Sequence, residues 1–156
     1  EPISAVLNDN EDYNTNFEYF YSLSEEIAKD YLKMIYLDSV CYNMDRHTNN
    51  YGLLRNAKNG EILSLAPNFD NNIALISNGY PSDVTRKKDG LIKFFIDFIK
   101  QNEKARSMLK SLNIKILEPE EIEQILENIP IEVNKEFIID FIINGQNIIK
   151  GDEEKC

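Results

Sequence analysis

The dipeptide Asn59-Gly60, set between short strand-like runs at 51–55 and 61–66, is the strongest constraint on how this chain folds. Asn-Gly suits the two positive-φ positions of a two-residue hairpin turn, and such a turn fixes the pairing register. With these two residues as the loop, Leu54 faces Leu65, Asn50 faces Phe69 and Asn49 faces Asp70. Opposed strand residues lie about 5 Å apart. Asp70 is therefore expected beside Asn50, although far from it along the chain.

Helical patterns surround the hairpin. Ser22-Leu23-Ser24-Glu25 has the form of a capping box, and Glu25 and Glu26 favour a helix N-terminus. Ile27, Tyr31, Met34 and Ile35 then recur at helical spacing toward Val40 and Cys41. After the hairpin, 91–101 is strongly apolar and expected at the centre of the core, and 103–112 is shorter and amphipathic. Pro119 fits the first turn of a helix over 120–128, while Asn134 can cap a helix over 135–143 that Gly145 stops. Residues 71–90, with Gly79, Pro81 and Asp89-Gly90, read as an extended loop. The expected fold class is α+β, mainly helical, with one β-hairpin, in a domain spanning 22–150. Residues 1–21 lack a clean period and are expected to be a partly ordered segment; 151–156 form an acidic tail expected to be disordered.

Composition narrows the function. A 156-residue chain that is 42% hydrophobic can bury the core of one domain, or of one lobe of a larger enzyme. No apolar run approaches the roughly 18 residues of a membrane span, and Glu1-Pro2 carries neither an initiator Met nor a signal pattern, so the expected compartment is the cytoplasm. Two cysteines, Cys41 and Cys156, make no disulfide framework, and the single histidine, His47, excludes a multi-histidine zinc site. A net charge of −10 repels phosphate backbones, and Arg86-Lys87-Lys88 is too short a basic cluster to reverse that. Neither nucleic acid nor a membrane is an expected partner.

Asp45-Arg46-His47-Thr48-Asn49-Asn50, followed by Ala66-Pro67-Asn68-Phe69-Asp70, carries the chemistry. An Asp and an Asn five residues apart reproduce the spacing of a kinase catalytic loop, where the Asp orients the attacking hydroxyl and the Asn holds a metal ion. Phosphoryl transfer asks the protein to hold Mg²⁺ and the triphosphate, align the hydroxyl and compensate charge. Asp70 would supply a charged oxygen for the metal and Asn50 a neutral one, which leaves Asp45 to accept a hydrogen bond from the acceptor hydroxyl.

Asp-Arg-His-x-x-Asn, a hairpin and Pro-x-Phe-Asp together resemble the HipA-like serine/threonine kinases of bacterial toxin–antitoxin systems. The first part is also similar to the catalytic loop of phosphoinositide kinases, which usually carry Asp-Phe-Gly at the metal position. The match is close from Ser39 to Asp70, and the helical remainder is compatible with a kinase C-lobe. The resemblance implies ATP as substrate, Mg²⁺ as cofactor, Asp45 as catalytic base, Asn50 and Asp70 as metal ligands, and Arg46 and His47 as loop braces; Arg46 is expected as an ion-pair strut to Asp70 in preference to a phosphate contact. It implies a protein substrate, and as partners an antitoxin or a separate N-lobe chain. It also puts 77–88 in the place of an activation segment, with Ser77, Ser82 and Thr85 as conceivable phosphorylation sites whose phosphate could pair with a nearby Arg, although its composition favours an ordinary solvated loop without regulation. The departures are Met44, where the family often has a small polar residue, and the absence of a Gly-rich phosphate loop or a strand-borne nucleotide Lys. Lys29 and Lys33 fall on a helix. The expectation is a lobe that is inactive alone. A non-catalytic partner-binding module and a small-molecule or lipid kinase are the alternatives, the lipid option disfavoured by the lack of a basic membrane patch.

Overall fold

Ser24 starts the helix around which everything else packs. Its Oγ accepts hydrogen bonds from the Glu26 and Ile27 amides at 3.1 and 3.5 Å, satisfying two of the donors that a helix start leaves open. In the computed structural model, which describes residues 1–7, 12–71, 74, 75 and 86–153, the elements run in the following order. They are α1 (Ser4–Leu7), α2 (Tyr13–Leu23), α3 (Glu25–Cys41), β1 (Leu53–Arg55), β2 (Ile62–Leu65), a 3₁₀ turn (Arg86–Lys88), α4 (Gly90–Gln101), α5 (Glu103–Leu112), α6 (Pro119–Glu127) and α7 (Lys135–Glu153). The protein is thus mainly helical with one small antiparallel sheet among the described residues.

Asp12, Asp89, Asn102 and Asn134 cap α2, α4, α5 and α7, each accepting from an amide two or three residues on at 2.9 to 3.1 Å. Pro119 stands at the first turn of α6, where a missing N–H costs nothing. The central helix α3 packs against α2, α4, α5, α7 and β2, burying Ile27, Ala28, Tyr31, Leu32, Met34 and Ile35. Each large apolar side chain so buried contributes about 1.5–3 kcal/mol. A second cluster, Leu75, Ile122, Leu126, Ile138 and Phe141, joins α6 to α7. No helix among the described residues is long and apolar enough to cross a membrane.

Four features differ from the sequence expectation. The segment expected to be partly ordered contains α2, and Ile3, Phe17 and Phe20 are fully buried. The period was masked by Asn16, a polar residue on the buried face, whose amide donates to the Tyr51 hydroxyl at 2.9 Å. The hairpin register is one residue off, with Leu53 opposite Leu65 and Leu54 opposite Ser64, and a bulge then pairs Arg55 with Ile62. The cause is the turn. Asn56 N–H donates to Glu61 O and Gly60 N–H to Asn56 O, so the loop takes four residues, 57–60, and only Gly60 (φ 73°) is left-handed in it. Helix α7 runs through Gly145 to Glu153 instead of stopping, so 151–153 are helical, and 154–156 lie outside the described residues. Ser77, Ser82 and Thr85 lie outside them too.

The hairpin also has a neighbour that the sequence did not announce. Pro2 bridges Gly52 in antiparallel fashion, Leu53 N–H donates to Glu1 O at 2.8 Å and Ile3 N–H to Tyr51 O at 3.1 Å. A side chain on Gly52 would collide with the Glu1 carbonyl, so the approach of these two backbones demands glycine there.

Candidate functional site

Helix α3 ends where Tyr42 turns left-handed (φ 56°) and the Asn43 amide reaches back to the Asp38 carbonyl at 2.9 Å. The chain then coils through 43–50 in short turns, His47 N–H to Asp45 O at 2.9 Å and Asn50 N–H to His47 O at 2.8 Å. Arg46 fixes this loop. Its Nε and Nη2 grip both oxygens of Asp38 at 2.8 and 3.0 Å, its Nη1 donates to Asn50 O at 2.7 Å and Phe69 O at 2.6 Å, and Nη2 also reaches Asn71 Oδ1. All five guanidinium N–H groups are used. The pair is buried, with 4% of the Arg46 side chain and 2% of the Asp38 side chain exposed. Two-point geometry and further bonds are what make such a desolvated pair tolerable. Asn43 completes it, donating to Asp38 Oδ1 at 2.9 Å.

This corrects one expected contact. Arg46 is a strut, but to Asp38 and not to Asp70. It holds Asp70 indirectly, through the carbonyl of the residue before it and the side chain of the residue after it. Because one nitrogen spans the carbonyls of Asn50 and Phe69, the end of the 43–50 loop and the hairpin end meet despite the shifted register.

Asn50 is buried, and its Nδ2 donates to the Asp45 carbonyl at 2.8 Å and to Asp45 Oδ2 at 3.2 Å. Both amide hydrogens are thereby committed to Asp45, and Oδ1 accepts no hydrogen bond among the described residues. Asp70 is exposed, has φ 55°, and its carboxylate meets no partner among the described residues. A left-handed non-glycine is uncommon, is least costly for Asp and Asn, and persists where the surroundings impose it. His47 braces the loop internally, its Nδ1 accepting from the Asn49 amide at 3.2 Å. Ser4 holds the outer side, with its amide donating to Thr48 O at 3.0 Å and its hydroxyl to Asn49 Oδ1.

The Asn50 amide oxygen and the Asp70 carboxylate, both without a hydrogen bond among the described residues, are oxygen donors of the kind that suits a hard cation such as Mg²⁺, which takes few protein ligands and keeps water or phosphate oxygens for the rest. No three His, Cys, Asp or Glu side chains cluster as a metal cage among the described residues. Beside Asp45 opens a cleft of about 720 Å³, walled by Met44, Asp45 and His47 on one side and by Leu91, Phe94 and Asp97 of α4 on the other. Cys41 lies close by on α3, and burial pushes its thiol pKa up to about 11, so it stays protonated at neutral pH. Arg86 is no free cation for a phosphate on the 77–85 segment; it is 7% exposed and ion-paired with Asp89.

Asp38, Asn43 and Asn71 were not singled out from the sequence, yet they carry the bracing. One signal was available for Asp38. It follows Met34 and Ile35 by four and three residues on the apolar face of α3, and a carboxylate buried there requires a cation. Comparison with known protein families, curated proteins and solved structures returned no match.

Proposed function

We propose that this chain is the C-terminal lobe of an ATP-dependent Ser/Thr protein kinase of HipA-like type. Asp45 orients the acceptor hydroxyl and takes up its hydrogen bond. Asn50 and Asp70 hold the magnesium of Mg-ATP, which when bound neutralises charge on the transferring phosphoryl group. The observation that carries this reading is the double reach of Arg46, which ties the Asp45–Asn50 loop to both flanks of Asp70. The commitment of Asn50 Nδ2 to Asp45 supports it, since it leaves the amide oxygen for a cation.

The test is incorporation of labelled phosphate by the full-length protein with Mg-ATP. Asp45→Asn and Asp70→Ala should each lower the rate by roughly 10²–10⁴-fold without lowering the melting temperature. Activity retained in both variants would sink the proposal.

A second reading, a kinase-like module that binds a partner protein, is favoured by one observation. Leu37 and Leu54, 46% exposed each, line a groove of about 420 Å³ between α3 and the hairpin. A separate N-lobe chain or an antitoxin covering that groove would raise the melting temperature on mixing, and Leu54→Asp should abolish the rise.

A further inference from the structure

We infer that the cleft beside Asp45 receives a basic peptide segment, with its Ser or Thr at Asp45 and a Lys or Arg against Asp97; this rests on the kinase reading above. Among the described residues the cleft is electronegative and has no cation to spare. Its wall carries Asp12, Asp45 and Asp97, and the one guanidinium among the described lining residues, Arg46, spends all five N–H groups on Asp38, Asn50, Phe69 and Asn71. Asp12 is occupied as the cap of α2. Asp97 is different. It is half-buried on α4, faces the cleft, and has neither a hydrogen bond nor an ion pair among the described residues. A partly buried carboxylate with no counter-ion among the described residues attracts a docking cation.

The rim supplies a second kind of contact. Phe94 of α4 is 64% exposed and Met44 of the loop is 59% exposed, and both line this cleft, from opposite sides. An exposed aromatic and an exposed methionine facing each other across a groove are suited to grip an apolar side chain, the thioether adapting to its shape. Met44 thus acquires a use. Carboxylates and exposed apolar groups lining one cleft with Asp45 fit an extended peptide whose residues are basic, apolar and hydroxyl-bearing. They do not fit a nucleic acid, whose phosphates the carboxylates and the net charge of −10 repel.

Binding can be measured without nucleotide, which separates this inference from the kinase reading. Fluorescence anisotropy of this chain with two labelled peptides, each carrying one Ser and one Leu and flanked by Lys in one and by Glu in the other, reads the charge preference directly. The Lys peptide should bind about tenfold tighter or better at low salt. Asp97→Lys should reverse the preference, and Phe94→Ser, at an exposed position, should weaken both peptides while the melting temperature holds. Equal binding of the two peptides, or a preference untouched by Asp97→Lys, would overturn the inference. Spermine competing as tightly as the Lys peptide would overturn the peptide assignment in favour of a small polyamine. Phosphotransfer to protein with no such charge preference would defeat this inference alone, whereas selective binding without phosphotransfer by the full-length protein would defeat the kinase reading.

Discussion

Two arginines are buried near the C-terminal end of α3, and they are satisfied to different degrees. Arg46 makes five hydrogen bonds, two of them to Asp38, and joins loops. Arg86 joins helices. It pairs with Asp89 before α4, donates to the Ser39 and Val40 carbonyls of α3 at 3.1 and 2.6 Å, and lies 3.9 Å from the centroid of the Phe141 ring on α7. Among the described residues its Nε has no hydrogen-bond partner, and burial lowers its pKa below the ordinary value. Arg86 does the ordinary work of a cation at a helix C-terminus, closing carbonyls that the helix leaves open. Arg46 specifies where Asn50 and Asp70 stand. A planar fork is needed for the second task and only a positive charge for the first.

The largest expected effect tests that distinction. Arg46→Ala would leave the Asp38 carboxylate buried without its cation, a loss of about 3–5 kcal/mol. That is a large part of the roughly 5–15 kcal/mol that holds a domain of this size. Arg46→Lys is the sharper variant. It keeps the charge beside Asp38 but cannot reach Asn50, Phe69 and Asn71 together, so phosphotransfer by the full-length protein should fall further than stability in urea does. Should Arg46→Lys match the wild type in both assays, the fork has no special role and the two arginines are equivalent.

The comparison also explains what could be read in advance. Ser24, Asn134 and Pro119 announced helix starts, because a cap acts on amides within three residues and its signal is local. That Asp45 and Asn50 lie close followed from their spacing within one loop, and Arg46 joins that loop to the residues on either side of Asp70. Arg46 was recognised as a brace, but its partner was not, because Asp38 reaches it by folding back from the preceding helix. Helix α2 was hidden by Asn16, a polar residue on the buried face whose amide meets the Tyr51 hydroxyl. The turn at 57–60 escaped because Asn-Gly also suits a longer loop in which glycine alone is left-handed. Gly145 misled in the same way. A glycine after an apolar stretch resembles a stop signal until Arg86 is seen against it.

Gly145 therefore supplies the second test. Glycine inside a helix ordinarily costs about 1 kcal/mol relative to alanine. Here a Cβ would overlap the Arg86 guanidinium, which Asp89, Ser39 and Val40 keep from swinging away. Gly145→Ala is expected to cost roughly 1–3 kcal/mol in urea unfolding, with the sign opposite to propensity. In an Arg86→Ala background the same change should become neutral or stabilising, because the obstacle is gone. A stabilising Gly145→Ala in the wild type would mean that Arg86 is not held against α7 at all.

The smallest effect belongs to an exposed pair that serves as the control for both arginines. Lys104 and Glu18 meet at 2.8 Å with 54% and 40% of their side chains exposed. The Lys104 hydrogen bond, and after it that of Asn102, lowers the Glu18 pKa from its ordinary 4.5. A carboxyl whose folded pKa is depressed contributes stability above its unfolded pKa and loses it as pH falls through the folded value. The wild type should therefore lose stability below pH 4.5, and Lys104→Ala should make that loss shallower while changing the neutral-pH midpoint little. Salt of about 1 M shortens screening to roughly 3 Å and should have the same effect as the substitution on this pair. Arg46 and Asp38 are shielded from solvent, so the penalty of Arg46→Ala should persist in that salt. If the Arg46→Ala penalty instead disappears in salt, its ion pair is a surface pair in solution and the contrast between the loops and the surface collapses.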